Sequence, residues 1–298
     1  MISAESVKAR LKQIAVRESK PFDFLLVHYF TERMIYRISI SPYAENFILK
    51  GGMLLYTMLG NDARTTKDID FLAKNISNTP EDIAVVVRTI CSIDANDAVN
   101  FDLDSIKAEP IREGADYEGV RIKITGYLDR TRHVLQFDAG FGDVVIPKPV
   151  TLEYPTLLDM ERPLIQAYSQ ESIIAEKFEA MLALSEVNSR MKDFYDIYTL
   201  SLRFSYKGMV LYKAIRETLK HRGTPLVISP SVFTDEFANM KEKQALWKAF
   251  QKRIRETDDP GFTSTMELIK KFLKPVYLAI LSEKEWRKQW DNNKRVWE

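Results

Sequence analysis

Cysteine is almost missing from this chain. Cys91 is the single one in 298 residues, which excludes an internal disulfide and a cysteine-only metal site. It falls in an apolar helical pattern with Ile83, Val86, Val87 and Ile90, so it reads as a buried structural thiol. Histidine is nearly as scarce: His28, His133 and His221 are scattered along the chain and form no zinc-type cluster. No apolar run approaches the roughly 20 residues that a membrane helix needs. The opening Met1-Ile-Ser-Ala-Glu-Ser has no basic region followed by an apolar core, so no secretory signal is read there. A cytoplasmic protein with no membrane partner is expected. Internal repeats and low-complexity segments are also missing.

What is present is ordinary in bulk and uneven in detail. Apolar content of 45% and charge of 29% describe a globular protein, and the length allows a large core in two lobes. The net charge is only +1, but residues 203–298 hold 20 Lys/Arg against 12 Asp/Glu, a balance of +8, leaving 23 against 30, a balance of −7, in the remainder. A basic half can hold nucleic acid while an acidic half holds metal. Lys and Arg interleaved with Glu can equally be solvated helix faces.

Periodicity predicts helices over 4–18 and from Pro21 to about Ile40. A third starts at Pro80-Glu-Asp, with proline in a tolerated first-turn position and acids at the positive helix end. Val120, Ile122 and Ile124 alternate with Arg121, Lys123 and Thr125, the pattern of a half-buried strand. Arg132 to Phe137 reads as its partner, with the turn at Asp129-Arg-Thr-Arg. The proline-spaced stretch 147–163 reads as a surface linker. Beyond Ser169 helices are predicted near 170–187, 193–204, 208–221, 232–254, 263–281 and 283–295.

The chemistry concentrates in residues 47–73. An apolar run, Phe47-Ile-Leu, meets Gly51-Gly52, then an apolar helical stretch to Leu59, a polar loop carrying Arg64, and Asp68-Ile-Asp70 at the head of another apolar run. Two glycines at a strand-to-helix turn let backbone N–H groups approach a phosphate. Asp68 and Asp70 share one strand face while Ile69 and Phe71 face the core. Two carboxylates on one face call for a cation between them, and hard oxygen ligands suit Mg²⁺ held together with substrate phosphates. Either residue alone could simply open a strand; preceded by Gly-Gly they read as a nucleoside triphosphate and metal site.

Gly-Gly, a short helix and Asp-x-Asp resemble the signature of the DNA polymerase β-type nucleotidyltransferases. More narrowly, Leu49-Lys50-Gly51-Gly52 with Arg64-Thr-Thr-Lys-Asp-Ile-Asp70 resembles the AbiEii/AbiGii-type toxin nucleotidyltransferases. The resemblance spans roughly residues 45–202 and leaves 203–298 unmatched. It implies an α/β (α+β) two-lobed fold: a catalytic lobe over 1–160, with a small mixed sheet, flanking helices and the N-terminal helices, and a helical lobe over 161–298. It also implies a separate antitoxin protein, a nucleoside triphosphate substrate, one or two Mg²⁺ ions and an RNA acceptor such as the tRNA 3′ end. Other readings are a protein or small-molecule nucleotidyltransferase and a nucleotide-binding module without turnover.

The resemblance brings further residues into view. Asp138, on a strand face with Gln136, matches the third carboxylate, which would complete the metal shell with Asp68 and Asp70 and activate the attacking hydroxyl. Asp143 is a weaker rival, and a turn-forming Asp is the bland alternative. Lys177, in Ala-Glu-Lys on an apolar helix stripe, either snorkels outward or faces phosphates, as the resemblance implies. Arg190-Met-Lys-Asp193-Phe-Tyr-Asp196 is similar to the family's Lys/Arg-x-x-Asp-x-x-Asp block; Asp193 as a helix N-cap is the alternative. Lys50, Arg64 and Arg190 are candidate phosphate contacts beside Gly51 and Gly52. Trp286 and Trp290 are expected to pack rather than stack on bases.

Overall fold

A computed structural model describes residues 2–60, 63, 64, 66, 68–112, 118–254 and 260–298. The chain divides into two compact units. One comprises Met1–Asp143 with Pro149–Ala167, the other Val144–Lys148 with Tyr168–Glu298.

The first unit is built on a seven-stranded mixed sheet. Its helices are α1 (Ala4–Arg17), α2 (Phe22–Ser39), α3 (Gly51–Leu59) and α4 (Pro80–Cys91). Its strands are β1 (Phe47–Lys50), β2 (Ile69–Ala73), β3 (Val99–Arg112), β4 (Glu118–Leu128), β5 (Thr131–Gly140), β6 (Val150–Glu153) and β7 (Leu164–Ala167), in the order β3-β4-β5-β2-β1-β7-β6. β5 runs parallel to β2 and β7 parallel to β1, while the remaining neighbours are antiparallel. The apolar alternation explains the core: Val120, Ile122 and Ile124 of β4 and Leu135 and Phe137 of β5 are buried, as are Ile69 and Phe71 of β2. Cys91 is buried at the end of α4.

One expectation fails here. Residues 147–163 are not a linker: β6 and β7 extend the sheet, and Pro149 and Pro163 sit just outside these strands, where a missing N–H removes no ladder bond. The long strand β3 escapes a period-two reading. Between the pairs Asp102↔Thr125 and Lys107↔Lys123 it carries three more residues than β4, an odd number that moves its apolar side chains to the other parity.

The second unit is largely helical: α5 (Gln170–Leu184), α6 (Met191–Arg203), α7 (Gly208–His221), α8 (Asp235–Asn239), α9 (Lys241–Ile254) and α10 (Gly261–Leu281). The helix expected over 232–254 is broken, because Thr234 caps α8 by accepting from the Phe237 N–H and Met240 separates α8 from α9. The helix expected over 283–295 is replaced by β9 (Gln289–Asp291) and β10 (Val296–Trp297), which form a three-stranded sheet with β8 (Tyr206–Lys207). The tryptophans explain this. Trp290 is fully buried against Phe272 and donates to the Ser201 carbonyl, and Trp297 stacks parallel to Phe272 and donates to its carbonyl. Aromatic burial with satisfied N–H groups outweighs the local helical spacing.

Helix α2 is buried along most of its length and carries charge into the first unit's core. The Arg37 guanidinium donates to both Asp97 oxygens, at 2.6 and 2.9 Å, and to the carbonyls of Arg33, Ile93 and Val99. This pair fastens the sheet's edge hairpin to the helix, because Asp97 lies two residues before β3 and also accepts from the Val99 N–H. Removing one member strands the other in the core. Arg37→Met and Asp97→Asn should each destabilise folding by about 3–5 kcal/mol, measured by chemical denaturation, with the double variant well short of the sum.

Candidate active site

The turn from β1 into α3 is built around Gly51. Its φ of +70° is one that L side chains rarely adopt, and a Cβ there would lie 1.9 Å from Asp70 Oδ2. Gly51 therefore admits the Asp70 carboxylate against the start of the helix, and no larger residue could. Beside it, a Cβ on Gly52 would meet the Thr66 hydroxyl at 2.8 Å. The double glycine first serves close packing of the chain's own polar side chains at the head of α3.

Strand register then assembles a charged row. Lys50 of β1 pairs with Asp70 of β2, Asp70 with Asp138 of β5, Asp138 with Arg121 of β4, and Arg121 with Glu109 of β3. Residues in register share a sheet face, so five charged residues from five strands line one transverse row. Two carboxylates stand side by side at its centre, with a cation on each flank. Arg121 grips Asp138 with two parallel bonds, Nε to Oδ1 at 2.9 Å and a terminal nitrogen to Oδ2 at 2.7 Å. Lys50 lies 3.0 Å from Asp143, whose carboxyl is buried. Asp143 is thus tied to Lys50 and lies outside the row.

The Asp-x-Asp pair is split between structures. Asp70 is inside β2 and half-buried, while Asp68 is exposed and precedes the strand. Arg64 is half-buried in the segment between α3 and β2. Thr65 and Lys67 of the quoted motif lie outside the described residues.

In the second unit, Lys177 of α5 meets two carboxylates of α6: Asp193 at 2.8 Å and Asp196 at 2.7 Å. Asp193 also accepts from Arg190 Nε at 2.7 Å. Asp193 and Asp196 are 0% and 2% exposed, so their oxygens are turned onto cations of the protein. The N-cap alternative for Asp193 is corrected. Arg190 holds that position without a side-chain cap, and Asp193 lies in the first turn. Burial alone would push the Asp193 carboxyl up, but Lys177 and Arg190 outweigh it and hold the carboxyl down at about 2. The loop entering α6 is fixed by Lys243 of α9, which is fully buried and donates to the carbonyls of Glu186 and Asn188.

The residues sequence reasoning missed are Arg121 and Lys243. Arg121 was legible only as a polar position of an alternating strand, since its pairing with Asp138 depends on register. Nothing local marks Lys243, which sits among other lysines of α9.

The depressed Asp193 carboxyl carries a pH signature. Its folded value lies below the ordinary aspartate value near 3.9, so it stabilises the fold above that value and loses the contribution as pH falls toward about 2. Denaturation midpoints between pH 5 and 2 should fall more steeply for the wild type than for Asp193→Asn, which should already be destabilised by about 3 kcal/mol at neutral pH.

Similarity to known proteins agrees with this architecture. Among solved structures, a Helicobacter pylori protein provisionally described as a nucleotidyltransferase superposes with a TM-score of 0.51 at 12% identity, covering 89% of this chain and 99% of its own. JHP933 from Helicobacter pylori superposes with a TM-score of 0.50 at 11% identity, covering 88% and 94%. At such identity the likeness is one of fold. No curated protein matches the sequence. The family model for the nucleotidyl transferase AbiEii toxin of type IV toxin–antitoxin systems matches residues 33–276. That match takes in every site residue named above, and the chain accordingly belongs to the AbiEii nucleotidyltransferase toxin family.

Proposed function

We propose that this nucleotidyltransferase moves a nucleotide from a nucleoside triphosphate to an RNA hydroxyl, such as the tRNA 3′ end, at the Asp70–Asp138 pair. The observation that carries the reading is the placement of two carboxylates in register on neighbouring strands, with one of them packed into the glycine turn at the start of α3. Like charges at strand spacing, about 4.8 Å, repel unless a cation joins them, which is what a metal–triphosphate complex supplies.

The donor chemistry fits Mg²⁺. Asp70 and Asp138, with Asp68 beside them in sequence, offer hard oxygens. Among the described residues no group of three or more His, Cys, Asp or Glu side chains forms a ready cage. Mg²⁺ keeps several waters and binds through one or two carboxylates and substrate phosphates. Bound there, the ion would neutralise phosphate charge and orient the triphosphate.

The chain's own groups would do the rest. The acceptor oxygen forms a bond to the α-phosphorus as the bond to the bridging oxygen breaks, and pyrophosphate leaves. The hydroxyl proton passes to Asp138. The free N–H groups at the start of α3 favour phosphate. Lys50 and Arg64 are assigned to phosphate charge. In this reading the buried Asp193 and Asp196 hold the Lys177 ammonium in place and do not contact metal. The acceptor is assigned as RNA because residues 203–298 carry the positive balance. Family membership also implies a paired antitoxin.

Incubating the protein with Mg²⁺, each α-labelled nucleoside triphosphate and total cellular RNA tests the reading. Label should enter small RNA, and Asp138→Asn should lower the rate by about 10²–10⁴-fold. Label on protein, or undiminished transfer by Asp138→Asn, would overturn it. Acceptor affinity should also fall steeply with added salt.

A further inference from the structure

The charged row contains a residue that the proposed chemistry does not use. Arg121 sits on β4, one strand beyond the carboxylate pair, and its fork takes both oxygens of Asp138. The pair is not a buried scaffold: the side chains are 35% and 19% exposed, so the contact can open to solvent without stranding a charge in the core. The neighbouring register residues explain its setting. On the outer side Arg121 faces Glu109, whose carboxylate is itself bonded to Lys123 at 2.9 Å. On the inner side Asp138 faces Asp70. Arg121 is therefore the cation that this chain places on the outer flank of the carboxylate pair, against Asp138.

We infer that Arg121 is a positioning residue that locks Asp138 in the resting enzyme and competes with the metal–nucleotide complex for its oxygens. The inference rests on the assignment of Asp138 in the proposed function. A carboxylate held by both oxygens in a guanidinium fork has its best acceptor directions occupied. Those two lone pairs are then closed to a hydroxyl proton or a metal, and the guanidinium charge beside the remaining two disfavours a cation, so the fork must loosen when the metal–nucleotide complex enters. In the absence of substrate the fork keeps Asp138 ordered and its charge compensated. The lock is one of geometry as well as charge. A lysine in the same place keeps the charge but offers a point donor in place of a planar fork.

Mn²⁺ binding, followed by electron paramagnetic resonance without nucleotide, separates the possibilities. Arg121→Met should bind Mn²⁺ about two- to fivefold more tightly than the wild type, the scale of losing one partly exposed competing ion pair. Arg121→Lys should also bind more tightly, because the fork is lost. Weaker or unchanged binding in Arg121→Met, with circular dichroism and thermal melting intact, would overturn the inference and leave Arg121 a structural partner. Tighter binding in Arg121→Met with wild-type affinity in Arg121→Lys would overturn the fork and leave only long-range charge. Asp138→Asn serves as the reference. If Mn²⁺ binding survives that change undiminished, the assignment of Asp138 itself fails, and the inference falls with it.

Discussion

Two carboxylates that stand in register on adjacent strands are a standing electrostatic problem, and much of the first unit is arranged around it. Asp70 and Asp138 repel at strand spacing. The sheet answers with Arg121 on one flank and Lys50 on the other, each from the next strand out. The glycine turn answers by giving Asp70 room that a side chain would fill. Register thus decides which charges meet here. A slip of one residue between β2 and β5 would turn Asp138 toward the core and bring the apolar neighbours of these carboxylates to the polar face.

The second unit solves the opposite problem. There the two acids, Asp193 and Asp196, are buried, and they are stable because Lys177 and Arg190 come to them. Buried ion pairs contribute less to stability than their geometry suggests, since desolvation consumes most of the attraction. What they provide is direction. An ammonium held by two carboxylates on α6 has little freedom left, and α6 itself is held through the carbonyls that Lys243 binds. A chain of side chains from α9 through the loop to α6 thus fixes where the α5 lysine points.

How much of this could be read from the sequence depended on the range of the interaction. The helix starts at Phe22 and Pro80 and the turn at Asp129 were legible because caps, prolines and turn chemistry are local. The strands β4 and β5 were legible because alternation is local too. So was the strand-to-helix turn at Gly51 and Gly52, where β1 ends and α3 begins. β3 was lost to an irregular register, and the C-terminal strands were lost to aromatic contacts with Phe272, far away in the chain. The Arg121 fork was invisible for the same reason. Its partner lies seventeen positions away on another strand, and only pairing brings them together. The polar face of β4 looked like a solvent face, and one of its residues holds the candidate catalytic acid.

The central claim is that Asp70 and Asp138 form the metal and nucleotide centre of this nucleotidyltransferase. Crystals grown with Mn²⁺ and a non-hydrolysable nucleoside triphosphate analogue test it most directly, through the anomalous difference map. The account predicts a manganese peak within coordination distance of both Asp70 and Asp138, with the triphosphate bridging to the start of α3 at Gly51. A nucleotide and metal bound elsewhere, with Asp138 still gripped by Arg121 and Asp70 unaltered, would contradict it.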